Sequence, residues 1–176
     1  HATIGAVTTL IETGAIDSEG PETRVTVDTP SGPMETVARM RDGVVTSVAI
    51  RVVPSFVYGS ERSLEVPGLG RIPVHTVCVG GFFVMVPAEA TGLELAPENS
   101  AKLTDLGMRI IDCANEQLEV QHPLRPEVST VDVVEFYRED PRGRSGRSMV
   151  IYGERHMDRS PCGTGTAAKL TLLHHQ

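Results

Sequence analysis

"LEVPGLGRIPVHTVCVGGFFVMVP", residues 64–87, decides the fold. Its short apolar stretches are divided at Pro67-Gly68 to Gly70, which reads as a turn. Gly80-Gly81 reads as a bulge or a close backbone approach. The stretch is therefore a set of short strands. Upstream, residues 23–59 alternate apolar and polar positions over short runs. Turn signals stand at Thr29-Pro30-Ser31-Gly32-Pro33 and at Asp42-Gly43. That pattern predicts antiparallel strands joined by hairpins. Downstream, "TVDVVEFYRED" (130–140) and "RSMVIYG" (147–153) add two strands around a polar loop.

Helices interrupt and flank these strands. At the start of the chain Ile4, Val7, Leu10 and Ile11 form a helical stripe, and Gly14 suits the position just past its end. In "APENSAKLTDLGMRIIDCANEQLEV" (96–120), Leu103, Leu106, Ile110, Cys113 and Ala114 share one face. Pro97 and Glu98 suit the first turn. A third helix begins near Gly163. Helices around a mostly antiparallel sheet make the class α+β. The first residue already stands at a helix start and the last helix runs to Gln176 without a cap. Both ends read as cut, so a longer parent chain is expected.

Composition narrows the function. The 176 residues suffice for one domain with a sizeable core, and 40% hydrophobic content indicates a globular chain. A net charge of −7 argues against a nucleic-acid partner. Arg142, Arg144 and Arg147 form the one basic cluster, in a Gly/Ser-rich loop, and read as a solvated turn. No apolar run approaches a membrane span. Three cysteines without regular spacing are not a disulfide framework. With no CxxC pair and no HxxxH or HExxH pattern, a metal site is not expected. Free thiols suggest a reducing compartment, so the cytoplasm is expected. Cys78, in a strand, and Cys113, on an apolar helix face, read as core.

Cys162 is different. "MDRSPCGTGTAAKL" (157–170) places it at a helix start among small residues. A helix N-terminus has free backbone N–H groups and a partial positive charge, so it binds carboxylate or phosphate. Gly163 and Gly165 permit close approach of an anion, and Thr164 and Thr166 add hydroxyls. Lys169 is misplaced for a phosphate-binding loop of the Gly-Lys-Ser/Thr type. The helix dipole predicts a thiol pKa below its free value. One helix start thus offers a carboxylate cradle and an acid/base.

The opening "HATIGAVTTL" also aligns with "TGTAAKLTLL" (164–173), matching Thr3 with Thr166, Thr8 with Thr171 and Leu10 with Leu173. If the two are duplicates, a Cys-Gly pair is expected just before His1. Two such helix starts gripping one small amino acid would invert its α-carbon without a cofactor. One thiolate would take the proton and the opposite thiol would return one.

"DRSPCGTGTAAK" resembles the second cysteine motif of the proline racemase family, which includes 4-hydroxyproline 2-epimerases and trans-3-hydroxy-L-proline dehydratases. "HATIGAVTTLIETG", "DTPSG", "VPSF", "APEN", "TDLG", "CANEQ" and "QHP" resemble family segments in the family order. The resemblance implies a diaminopimelate-epimerase-like fold with two lobes, each a curved sheet around a central helix. Residues 1–176 would supply one lobe together with both helix starts. It further implies that Cys162 is one of two acid/bases and that Gly163 and Thr164 hold the substrate carboxylate. Asp158 would face the ring amine, and His1 would adjoin the other cysteine. The implied partners are proline or hydroxyproline and a second copy of the chain, as a homodimer. Two departures stand out. "GGFF" (80–83) replaces the family's Gly-Gly-Asn-Phe type segment, and Tyr152 stands where proline racemases tend to carry Phe. The Tyr152 hydroxyl points toward a hydroxyproline substrate. His156 reads as an exposed loop histidine. Cys162 disfavours the dehydratase alternative, whose members commonly carry Thr there.

Overall fold

The computed structural model describes residues 1–18, 20–140 and 145–175. The chain divides into two compact units, His1–Val53 and Pro54–Gln176. Of the arginine cluster, Arg142 and Arg144 lie outside the described residues, and Arg147 is exposed on a strand.

The first unit holds helix α1 (Ala2–Glu12) and the strands β1 (Glu22–Thr29), β2 (Gly32–Arg41) and β3 (Val44–Ile50), in the antiparallel order β1-β2-β3. Gly14 (φ 71) follows the C-cap Thr13, where a left-handed residue ends the helix. Asp42 (φ 53) and Gly43 (φ 79) form the two-residue turn between β2 and β3. Two positive φ values make it the primed type, whose twist matches the strands. Only part of the α1 stripe is buried. Val7 and Ile11 pack with Ala38, whereas Ile4 and Leu10 stay 41% and 39% exposed. The Glu12 carboxylate accepts the Val45 N–H at 3.0 Å and ties α1 to β3.

The second unit has β4 (Ser55–Val66), β5 (Gly70–Val79), β6 (Gly81–Pro87), α2 (Ser100–Gln117), β7 (Val131–Glu139), β8 (Gly146–Tyr152), β9 (His156–Met157) and α3 (Gly163–His175). Its six strands lie in chain order, β4-β5-β6-β7-β8-β9. All neighbours are antiparallel except β6 and β7, which run parallel and need the crossover that α2 provides. Gly80 (φ 78) forms the tight turn between β5 and β6, so the Gly80-Gly81 pair marks a turn and not a bulge. The irregularities fall on β4, around Gly59 and Glu61. Pro97 and Glu98 lie in a short 3-10 turn that leads into α2.

Both faces of this sheet are covered. On one, Phe82, Val84, Val86, Val134, Phe136 and Ile151 meet Leu103, Leu106 and Ile110 of α2. Helix α2 touches β4, β7, β8 and β9, strands from both ends of the sheet, so the sheet curves around it. Gly107 permits this approach: a Cβ there would lie 3.0 Å from Ile151 and Val134 side-chain carbons. On the other face α3 packs over β4, β5 and β6, with Ala168 and Leu172 buried. A fully buried side chain of the size of Leu172 contributes roughly 1.5–3 kcal/mol. Cys78 and Cys113 are core residues, as expected.

"CANEQ" has a packing explanation. Asn115 accepts the Val131 N–H at 2.8 Å and donates to the Val131 carbonyl at 2.8 Å. Gln117 clamps Glu65 in the same way, with 2.9 Å in both directions. The two amides fasten α2 to strands on either side of it.

Candidate active site

The second unit brings Asp158, Cys162, Gly163 and Thr164 together at the start of α3. The chain reaches it through two successive side-chain-stabilised turns. The Ser160 N–H donates to the Asp158 carboxylate and the Cys162 N–H donates to the Ser160 hydroxyl, each at 2.9 Å. The Asp158 N–H donates to the Val150 carbonyl at 2.9 Å, which ties this loop to β8. Cys162 itself has φ 48, a left-handed conformation uncommon for a non-glycine residue and held here by its neighbours.

The thiol occupies the N-cap. Its sulfur accepts the Gly165 N–H at 3.4 Å and lies 3.7 Å from the Thr164 hydroxyl. Ser, Thr or Asp oxygens usually do this work. The Thr166 N–H and hydroxyl donate to the Cys162 and Pro161 carbonyls, each at 2.8 Å, and fix the first turn. The Gly163 and Thr164 N–H groups belong to that first turn, where no intrahelical acceptor is available. A Cβ on Gly163 would meet nothing within 4 Å. The fold's own packing therefore does not require glycine there.

The electrostatics correct one expectation. Burial pushes the Cys162 thiol pKa up, and the nearby Asp158 adds to this. The Gly165 N–H and Thr164 hydroxyl pull it down but do not win, so the thiol lies above its ordinary value and not below it. Desolvation of the thiol outweighs the helix start here. For Asp158 burial again pushes upward, but hydrogen bonds from Ser160 and Cys162 outweigh it and hold the carboxyl below its ordinary range. Asp158 is a carboxylate at neutral pH.

Tyr152 ends β8, 43% exposed, with its ring stacked on His156 of β9 at 5.7 Å and 26°. His156 is exposed, as expected, but it belongs to a strand pair and not to a loop. His1 is the exposed N-cap of α1 in the first unit and makes no side-chain cap bond. No group of three or more His, Cys, Asp or Glu among the described residues could hold a metal ion. No helix among them is long and apolar enough to cross a membrane.

Two contributors were not visible in the sequence. Ser160 shapes the loop through both its N–H and its hydroxyl, and the only signal was its place between Asp158 and Cys162. Glu135, in β7, lies beneath Gly165 with no accessible surface. Its one signal in the sequence is an acid set directly between the apolar Val134 and Phe136.

An α+β unit with a thiol capping a glycine-rich helix start, beside an ionised carboxylate, defines the class. Comparison with known proteins places the chain within it. The family model described as proline racemase matches residues 1–176, and the chain belongs to the proline racemase family. A proline racemase of Clostridioides difficile is 39% identical over 175 residues, covering 99% of this chain and 52% of the relative. A 4-hydroxyproline 2-epimerase of Streptosporangium roseum is 37% identical over 174 residues, again 99% of this chain and 52% of the relative. The crystal structure of a hydroxyproline epimerase from Agrobacterium vitis, with bound trans-4-hydroxy-L-proline, superposes with a TM-score of 0.91 at 36% identity. That match covers 98% of this chain and 50% of the other. The chain thus spans about half the length of the curated relatives it matches.

Proposed function

We propose that this chain supplies one lobe of a cofactor-independent racemase or epimerase acting at the α-carbon of proline or 4-hydroxyproline. The observation that carries the reading is the Cys162 sulfur at the N-cap of α3, next to the N–H groups of Gly163 and Thr164. Those N–H groups and the helix dipole hold the substrate carboxylate. The Asp158 carboxylate pairs with the ring ammonium. Each contact also fixes the α-carbon near the thiol, which is the orientation that proton transfer requires.

The raised proton affinity of Cys162 suits it to donate. A second acid/base of the full-length protein removes the α-proton from one face of the α-carbon. Cys162 then delivers a proton to the other face, and the two exchange roles for the reverse direction. Hydrogen bonds to the carboxylate stabilise the charge that develops as the α-proton leaves. The Tyr152 hydroxyl meets the substrate hydroxyl of 4-hydroxyproline.

Incubating the full-length protein in heavy water with L-proline, and separately with trans-4-hydroxy-L-proline, tests this. Deuterium should enter the α-carbon with inversion, and Cys162→Ser should reduce the rate by at least a thousandfold. If neither substrate exchanges but trans-3-hydroxy-L-proline loses water, the dehydratase reading replaces this one. Binding without exchange or dehydration of any substrate would leave an amino-acid-binding relative.

A further inference from the structure

Glu135 has no accessible surface, and neither of its carboxyl oxygens has a hydrogen-bond partner of normal geometry. Burial without compensation is costly for such a group. Its position is specific. The point where a Gly165 Cβ would stand lies 2.8 Å from Glu135 Oε2, 3.0 Å from Val150 Cγ2 and 3.2 Å from Cys162 Sγ. The carboxyl and the thiol therefore flank the same residue, and that residue's N–H donates to the thiol sulfur.

Few charged groups face this pair. Tyr137 lies on the same face of β7, and β8 contributes the uncharged Ser148. Strand β6 pairs Glu135 with the apolar Met85. Helix α3 contributes Lys169 and Cys162, and the Asp158 carboxylate acts on the thiol from its own loop. Burial pushes the Glu135 carboxyl up to about 7, with Ser148 and Lys169 opposing.

We propose that Glu135 is a positioning residue that acts through Cys162, its ionised carboxylate beneath Gly165 holding the neighbouring sulfur in the protonated, proton-donating form. This rests on the acid/base role given to Cys162 above. The distances of the two groups from the Gly165 Cβ point put the carboxylate oxygen within about 6 Å of the sulfur, and a second negative charge that close to a half-buried thiol disfavours the thiolate. As Glu135 titrates, the proton affinity of the thiol rises with it. In the resting enzyme Cys162 is thus biased toward the donor form at and above neutral pH, and the reverse direction, in which it acts as the base, starts from the less populated form.

Alkylation of Cys162 by iodoacetamide, followed by peptide mass spectrometry from pH 5.5 to 10 on the full-length protein, reads the thiolate directly and needs no turnover. It therefore separates this proposal from the racemase reading, which the deuterium experiment tests. Buried Cys78 and Cys113 report whether each variant is folded. Glu135→Gln should be alkylated at Cys162 about tenfold faster at pH 8, a shift of about one pH unit. The variant and the wild type should converge below pH 6. Glu135→Asp, which keeps the charge, should stay close to the wild-type curve. The wild-type curve itself should be shallower than a single titration near pH 7, where Glu135 ionises. Superimposable curves for the wild type and a folded Glu135→Gln would overturn the proposal. So would a wild-type curve that fits one titration throughout, even if the glutamine variant failed to fold.

Discussion

Removing the charge of Glu135 should change how stability depends on pH, and the size of the change can be worked out. The carboxyl has an ordinary value of 4.5 and is pushed up to about 7 by burial in the folded protein. Between those two values the folded state holds a proton that the unfolded state has released. Stability therefore falls as pH rises through the window. The contribution is fully present below about pH 4.5 and lost above about pH 7. At about 1.4 kcal/mol per pH unit, the loss is about 3 kcal/mol. Glu135→Gln keeps the shape and cannot ionise. Relative to the wild type, the variant should gain about 3 kcal/mol in stability between pH 4.5 and pH 8. Urea unfolding at half-unit pH intervals measures this, and equal m-values in the two proteins would show that the same surface is exposed. A stability difference that stays constant across the range would refute the reasoning. It would mean that Glu135 binds its proton no more tightly in the folded state than in the unfolded one.

Two further changes test the frame that carries the site. Asn115→Ala leaves the buried Val131 N–H and carbonyl without their amide partner, and should cost about 2–3 kcal/mol in urea unfolding. A loss below 0.5 kcal/mol would mean that water takes over both bonds, contrary to the burial of Val131 (on the order of 1 kcal/mol is the smallest loss expected). Gly107→Ala places a Cβ 3.0 Å from Ile151 and Val134, both stiff β-branched side chains. Overpacking of roughly 1–3 kcal/mol outweighs a helix-propensity gain of about 1 kcal/mol, so the melting temperature should fall. A rise would show that the sheet can yield toward β8.

The legible parts of the fold are those governed by local chemistry. The apolar spacing of Leu103, Leu106, Ile110 and Ala114 marks α2, and the same residues are buried in the core. Asp42-Gly43 marks its turn because two positive φ values suit few other pairs. Cys162 and Gly163 mark the site because glycines after a cysteine at a helix start have few structural uses. What was hidden depends on distant neighbours. An acid inside a strand suggests a solvent-facing position, but α3 covers Glu135 from a later part of the chain. The proton affinity of Cys162 is not legible in the sequence, because the helix dipole is local whereas desolvation depends on what packs around the sulfur. The parallel pairing of β6 with β7 likewise depends on where residues 88–130 send the chain.

The central strand β6 has a consequence for the life of the protein before it is folded. "GFFVMV" (81–86) carries no charge and no proline, and five of its six residues are buried. In the finished sheet β5 covers one edge and β7 the other. During synthesis β5 is already made, but β7 follows only after residues 88–130 have emerged. At a few residues per second or faster, that leaves a sticky edge open for some seconds. Segments of this composition join with one another when left unpaired. A charge placed at the fully buried Val84 would interrupt the run and trade core stability for safer synthesis.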